Sequence, residues 1–215
     1  MKNIKITIIL ILGIISLNAK AQNTYQQTMG SGMQEWSKGN NIKAIAIFER
    51  VSQVEKKEWI PPYYVALVNI FDSFSCKNQT LINQKIIKAE KYISISKQRN
   101  ANRAEIKCAE GLISTLKIIQ NPMENGKKYS KSIINSYTEA LELEPKNPRA
   151  LYLLSQFQIN TASFTGAKTD KFYKQLEKAI ELFNKFKSKE AFYPNWGKQQ
   201  AVQLLKNRDN AKKDK

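Results

Sequence analysis

The amino-acid sequence predicts an all-α protein built from helical hairpins in series, and two observations predict this fold class. Apolar residues recur at three- and four-residue spacing instead of alternating with polar ones. Prolines, and glycines such as Gly39 and Gly166, fall at the joints between these periodic segments. Because the joints are short, successive helices are expected to lie antiparallel.

The first 21 residues have the three-part pattern of a secretory signal peptide. Lys2 and Lys5 give a positive start, an apolar stretch runs from Ile6 to Leu17, and Ala19-Lys20-Ala21 offers small residues for cleavage. The apolar stretch is shorter than the roughly 20 residues of a membrane-spanning helix. We therefore expect cleavage after Ala21 and a periplasmic or secreted protein. The alternative is an uncleaved N-terminal anchor.

Nine helices are predicted in the helical domain, residues 22–207, and residues 208–215 are predicted to be a disordered basic tail. In chain order the predicted helices are Asn23–Ser37, Asn41–Glu55, Pro61–Ser75, Thr80–Lys97, Ala101–Gln120, Pro122–Leu143, Pro148–Ser163, Lys168–Phe186 and Pro194–Asn207.

Helix ends are marked by residues with specific backbone chemistry. Gly39 offers a left-handed residue after the first helix, and Gly166 lies in the joint after the seventh. Pro122 and Pro148 suit a first helical turn, where a missing N–H costs nothing, and the asparagine before each can cap the helix.

The segment Tyr137–Ser155, YTEALELEPKNPRALYLLS, resembles the tetratricopeptide repeat (TPR) family. The resemblance joins the end of one repeat to the start of the next and is carried by Tyr137, Ala140, Pro145, Pro148, Leu151, Leu154 and Ser155. The first helical pair matches next best, through Gly32, Ala44 and Phe48. The spacing of repeat starts exceeds the family period of 34 residues, so an unrelated helical bundle is the alternative.

The resemblance implies a right-handed α-solenoid of about four TPR-like hairpins plus a C-terminal capping helix. In the last helix, Trp196, Ala201, Leu204 and Leu205 would pack inward as the cap. The alternative is that Tyr193 and Trp196 form an aromatic pair that faces a ligand.

The resemblance also implies a concave groove that binds a peptide or protein partner of the cell envelope. Aligning the hairpins with the family places these groove residues on the first helix of each pair: Tyr63, Leu67, Ile70, Arg103, Ile106, Glu110, Arg149, Tyr152, Gln156 and Asn160. Arginine can hold a carboxylate in a bidentate manner, and tyrosine supplies stiff contact area.

The residue inventory argues against an enzyme. The chain has no histidine, which removes the commonest general base and most zinc sites. Its eight glycines are scattered and form no phosphate-binding loop. Glu139, Glu142 and Glu144 are interpreted as a solvated helix face. We therefore predict no catalytic site, no cofactor and no metal.

Cys76 and Cys108 are the only cysteines. An oxidising compartment favours a disulfide between them. The two cysteines are offset along neighbouring helices, which argues against a disulfide, because the Cα atoms of a disulfide lie within about 7 Å of each other. Two buried free thiols are the other interpretation.

The chain is strongly basic, with 35 Lys and Arg against 18 Asp and Glu, a net charge of +17. Removing the three signal-peptide lysines leaves 32 − 18 = +14. A positive field attracts acidic polymers. A carrier of an acidic glycan or nucleic acid is therefore an alternative function, nucleic acid being disfavoured by export. A further alternative function is that of a purely structural subunit that oligomerises.

Overall fold

The computed structural model describes residues 23–188 and 190–213, with the backbone alone for residues 211–213. Every regular element in this part of the chain is a helix. The helices are α1 (23–37), α2 (Asn41–Val54), α3 (Ile60–Ser75), α4 (Gln79–Gln98), α5 (Arg103–Gln120), α6 (Pro122–Leu143), α7 (Pro148–Thr165), α8 (Asp170–Lys185) and α9 (Lys198–Lys213). The predicted signal peptide lies outside the described residues. No helix within them is both long and apolar enough to cross a membrane.

Consecutive helices pack as antiparallel hairpins, which confirms the predicted α-solenoid. Among α2 to α9, the most extensive contacts are those of α3 with α4, α5 with α6 and α7 with α8. The first helices of these hairpins form an inner layer, in which α5 contacts both α3 and α7. The last helix, α9, packs on α8 and α7 as the predicted cap.

Two glycines let paired helices approach closely. A Cβ at Gly32 in α1 would overlap the ring of Phe48 in α2. A Cβ at Gly111 in α5 would overlap the ring of Tyr137 in α6. Both rings are fully buried, so the small residue and the large one form a single packing unit across each hairpin. The sequence predicts the first of these two pairs.

Helix ends follow the predicted chemistry. The side chain of Asn121 accepts a hydrogen bond from the backbone N–H of Glu124, and that of Asn147 accepts from Arg149 and Ala150. Each asparagine is followed by a proline in the first turn. Gly39 and Gly166 both have positive φ, +79° and +70°. These residues define where the hairpins turn.

The C-terminal region differs from the prediction at both ends of its helix. The helix begins at Lys198, not at Pro194, because Pro194–Trp196 are held against the inner layer in an irregular conformation. It then continues to Lys213, through residues predicted to be a disordered tail. Arg208 supports this extension, since its guanidinium lies 2.9 Å from the carboxylate of Glu177 in α8.

Candidate functional site

The inner face of the solenoid is covered by the chain's own residues 190–197, a segment we call the strap. The Trp59 indole donates a hydrogen bond to Glu190 (3.0 Å), and the Tyr64 hydroxyl donates to the backbone oxygen of Phe192 (3.0 Å). The Trp196 indole donates to the Tyr63 hydroxyl (3.3 Å). The strap therefore occupies the face on which the sequence predicted a peptide.

A buried ion pair lies at the centre of the inner layer. Arg149 of α7 donates to Glu105 of α5 through Nε (2.9 and 2.8 Å) and Nη2 (2.6 Å). Asn147 and the Tyr63 hydroxyl donate to the same carboxylate at 2.7 and 3.2 Å. Both charged side chains are completely shielded from solvent. This polar cluster joins α3, α5 and α7.

Aromatic rings close the polar cluster on the side of the strap. The Arg149 guanidinium carbon lies 4.6 Å from the ring centre of Phe186 and 5.7 Å from that of Tyr193. Its Nη1 is buried and has no hydrogen-bond partner among the described residues, so the two rings are the guanidinium's other interactions besides Glu105. Burial alone would lower the pKa of Arg149, but the attraction and hydrogen bonds of Glu105 raise it above the ordinary value. The pKa of Tyr63 is raised, mainly by burial and secondly by the negative charge of Glu105.

The predicted groove residues do not form one open surface. Six of them lie in the core, at most 4% exposed: Tyr63, Leu67, Ile70, Ile106, Arg149 and Tyr152. Arg149 was predicted to hold a partner's carboxylate, but it already holds Glu105. These six side chains are therefore not accessible to a peptide while the strap covers the inner face.

The other four predicted groove residues reach solvent in different places. Arg103 and Asn160 are exposed, whereas Glu110 and Gln156 are half-buried. Glu110 pairs with Lys97 at 3.0 Å and with Lys107 at 3.6 Å. Asn160 lines an apolar pocket described below.

Cys76 and Cys108 are both free thiols in this structure. Cys108 is fully buried beside the polar cluster, and burial, followed by the Glu105 charge, raises the pKa of its thiol. Cys76 is half-buried after α3, and its thiol contacts the backbone oxygen of Asn78 at 3.7 Å.

An apolar pocket of about 580 Å³ opens between the C-terminal ends of α5 and α7 and the start of α6. Its lining includes Ile118 and Phe157, both half-buried. Three large apolar side chains at the pocket remain in water: Ile119 (58% exposed), Met123 (87%) and Phe164 (86%). Apolar surface concentrated at a concave site marks a binding site better than scattered apolar residues do.

Two polar side chains at this pocket are available to a ligand. Within the described residues, Lys127 and Asn160 have no hydrogen-bond or ion-pair partner. The hydroxyls of Thr115, Ser130 and Thr161 instead donate to backbone oxygens of their own helices. An apolar ligand with a carboxylate would therefore find one cation and one amide. The part of the chain that the structure describes contains no group of three or more His, Cys, Asp or Glu placed to hold a metal ion.

Sequence reasoning missed both the strap and the apolar pocket. The strap carried a signal: Phe192, Tyr193 and Trp196 crowd a segment that contains Pro194, which suits an irregular stretch packed on a core. The pocket carried little signal, because its residues come from three helices and only Asn160 is among the residues that the sequence predicts to bind a partner.

No protein-family model and no curated protein matches this chain. Its structure is similar to that of the HusA haemophore from Porphyromonas gingivalis, with a TM-score of 0.75 and 27% sequence identity. That similarity covers 84% of this chain and 90% of the haemophore. A thermophilic TPR protein from Thermus thermophilus is 13% identical over 75% of this chain and 89% of its own, with a TM-score of 0.37. The second similarity is too weak to carry an argument.

Proposed function

We propose that this chain is an exported, non-catalytic carrier that binds haem in the apolar pocket between α5, α6 and α7. The observation that carries the proposal is the pocket itself, where Met123 and Phe164 stand more than four-fifths exposed beside a cavity of about 580 Å³. This volume lies within the range of roughly 300–1,000 Å³ that ligand pockets have. The similarity to a haemophore supports the choice of ligand.

The lining suits the chemistry of haem. Ile118, Ile119 and Phe157 give apolar surface for the macrocycle, and Lys127 gives a cation for a propionate. Because the sequence has no histidine, the axial ligand would come from another residue. Met123 places a thioether at the pocket, and methionine is a known haem-iron ligand.

An extended peptide in the inner-face groove is less well supported. The strap covers that face, and six of the predicted contact residues, which belong to the inner-layer helices, are buried. A peptide would have to displace the Trp59, Tyr64 and Trp196 hydrogen bonds before it could bind. The apolar pocket needs no such rearrangement.

A titration of the mature protein with hemin, followed by the absorbance of the Soret band, tests the proposal. Phe164→Asp should weaken binding by at least about tenfold, because a carboxylate would be desolvated against the ligand. Ile42→Asp is the matched control, since Ile42 is 85% exposed and lies in α2, outside the pocket. Both variants place an aspartate at an equally exposed apolar position, and only Phe164 lies at the pocket.

Met123→Leu separates iron ligation from apolar contact, because it removes the thioether but keeps an apolar side chain of similar volume. If Met123 ligates the iron, this variant should change the spectrum of the bound hemin. Non-saturable binding by the wild-type chain would contradict the proposal. Equal hemin affinities of the Phe164→Asp and Ile42→Asp variants would also contradict it.

A further inference from the structure

A second cleft, of about 620 Å³, lies between α1, the end of α3, the strap and the start of α9. Aromatic rings form part of its wall. The ring centres of Trp36 and Phe71 are 6.0 Å apart, and those of Phe71 and Trp196 are 5.4 Å apart. Trp36 and Phe71 are half-buried, so part of each ring remains accessible. This cleft shares none of its lining with the apolar pocket.

Neutral amides and one lysine surround these rings. Asn195, Lys198, Gln199 and Gln200 are exposed, and their side chains have no partner within the described part of the chain. A carboxamide carries both donors and an acceptor, as a sugar hydroxyl does, so vicinal hydroxyls and amides can satisfy one another. Trp196 is only 9% exposed and its indole N–H is used by Tyr63, so Trp36 and Phe71 give the accessible aromatic surface of the cleft.

We infer that this cleft binds a pyranose sugar, as the terminal unit of a glycan. The faces of aromatic rings are negative and attract the weakly positive C–H groups on the apolar face of a sugar ring. The equatorial hydroxyls would then point to the amides around the rings.

The same residues disfavour other ligands. No acidic side chain lines the cleft among the described residues, and the chain carries a net charge of +17, so a cationic ligand lacks a counter-charge. An extended peptide needs a continuous groove along the inner face, and the strap interrupts it. A compact, neutral, polyhydroxylated ligand fits the remaining space.

Saturation-transfer NMR with methyl glycosides of glucose, galactose, mannose and N-acetylglucosamine tests this inference on the mature protein. We expect transfer to the C–H protons of at least one pyranoside. The double variant Gln199→Ala/Gln200→Ala should weaken its binding by about tenfold, through the loss of hydrogen bonds that the exposed amides do not need for folding. Gln203→Ala is the control on the same helix, because Gln203 pairs with Asn207 outside the cleft.

The outcomes separate this site from the haem pocket. Phe164→Asp should leave pyranoside binding unchanged, and Gln199→Ala/Gln200→Ala should leave hemin binding unchanged. Affinity for a neutral sugar should change by less than about twofold between low and moderate salt, whereas binding of an acidic polymer by charge alone would collapse. No transfer to any of the four glycosides, or equal transfer in the double variant and the control, would overturn the inference.

Discussion

The polar cluster around Arg149 and the apolar pocket beside Phe164 invert the usual distribution of residues. Arg149 is completely buried, while Phe164 is 86% exposed. The buried charge is held by Glu105 and covered by the strap, so it orients helices. The exposed ring contributes little to the core, so it is available to a ligand. The buried charge of Arg149 therefore indicates a role in holding the helices together, whereas the exposed ring of Phe164 indicates a surface that can bind a ligand.

Removing one partner of the buried ion pair should give the largest effect. Arg149→Ala leaves the Glu105 carboxylate buried without its counter-charge, and we expect a loss of about 3–5 kcal/mol in the free energy of unfolding. Urea unfolding followed by circular dichroism measures it. Lys117→Ala removes the Lys117–Glu90 pair, whose side chains are 30% and 46% exposed. That control should cost at most about 1 kcal/mol. Equal losses would show that the polar cluster does not orient the inner layer.

A methyl group at the α5–α6 contact should give the next largest effect. Gly111→Ala would overlap the Tyr137 ring, and we expect it to destabilise the protein by about 1–3 kcal/mol. In Gly30→Ala nothing lies within 4 Å of the new Cβ. Because alanine favours helix more than glycine does, Gly30→Ala should stabilise by up to about 1 kcal/mol. Opposite signs in urea unfolding support a tight hairpin contact, and stabilisation by both variants would exclude it.

The smallest effect on stability is expected at the apolar pocket. Phe164→Ser should change the free energy of unfolding by less than about 0.5 kcal/mol, since the ring is already in water. The same variant should lose hemin affinity. A large loss of stability would mean that Phe164 belongs to the core and would remove the contrast between the two regions.

The helices could be predicted from local chemistry, and the surface they form could not. Asn121 with Pro122 and Asn147 with Pro148 marked helix starts because capping acts within one turn. The small and large partners Gly32 and Phe48 were recognised because a hairpin brings nearby segments together. The burial of Arg149 depends on Glu105, which is 44 residues away, and on Tyr193 in the strap. The groove alignment assumed that nothing covers the inner layer, and no local pattern tests that assumption.

The strap also changes how the solenoid is expected to unfold. A solenoid without such a segment has contacts only between neighbouring repeats and can fray from either end. Here the hydrogen bonds from Trp59, Tyr64 and Trp196 each join two residues that are far apart in the sequence, with separations of 131, 128 and 133 positions. Release of the strap would therefore expose α3, which couples the C-terminal segment and α3 into one cooperative unit. These distant contacts also raise the contact order, so the chain should fold more slowly than a strapless helical array of the same length.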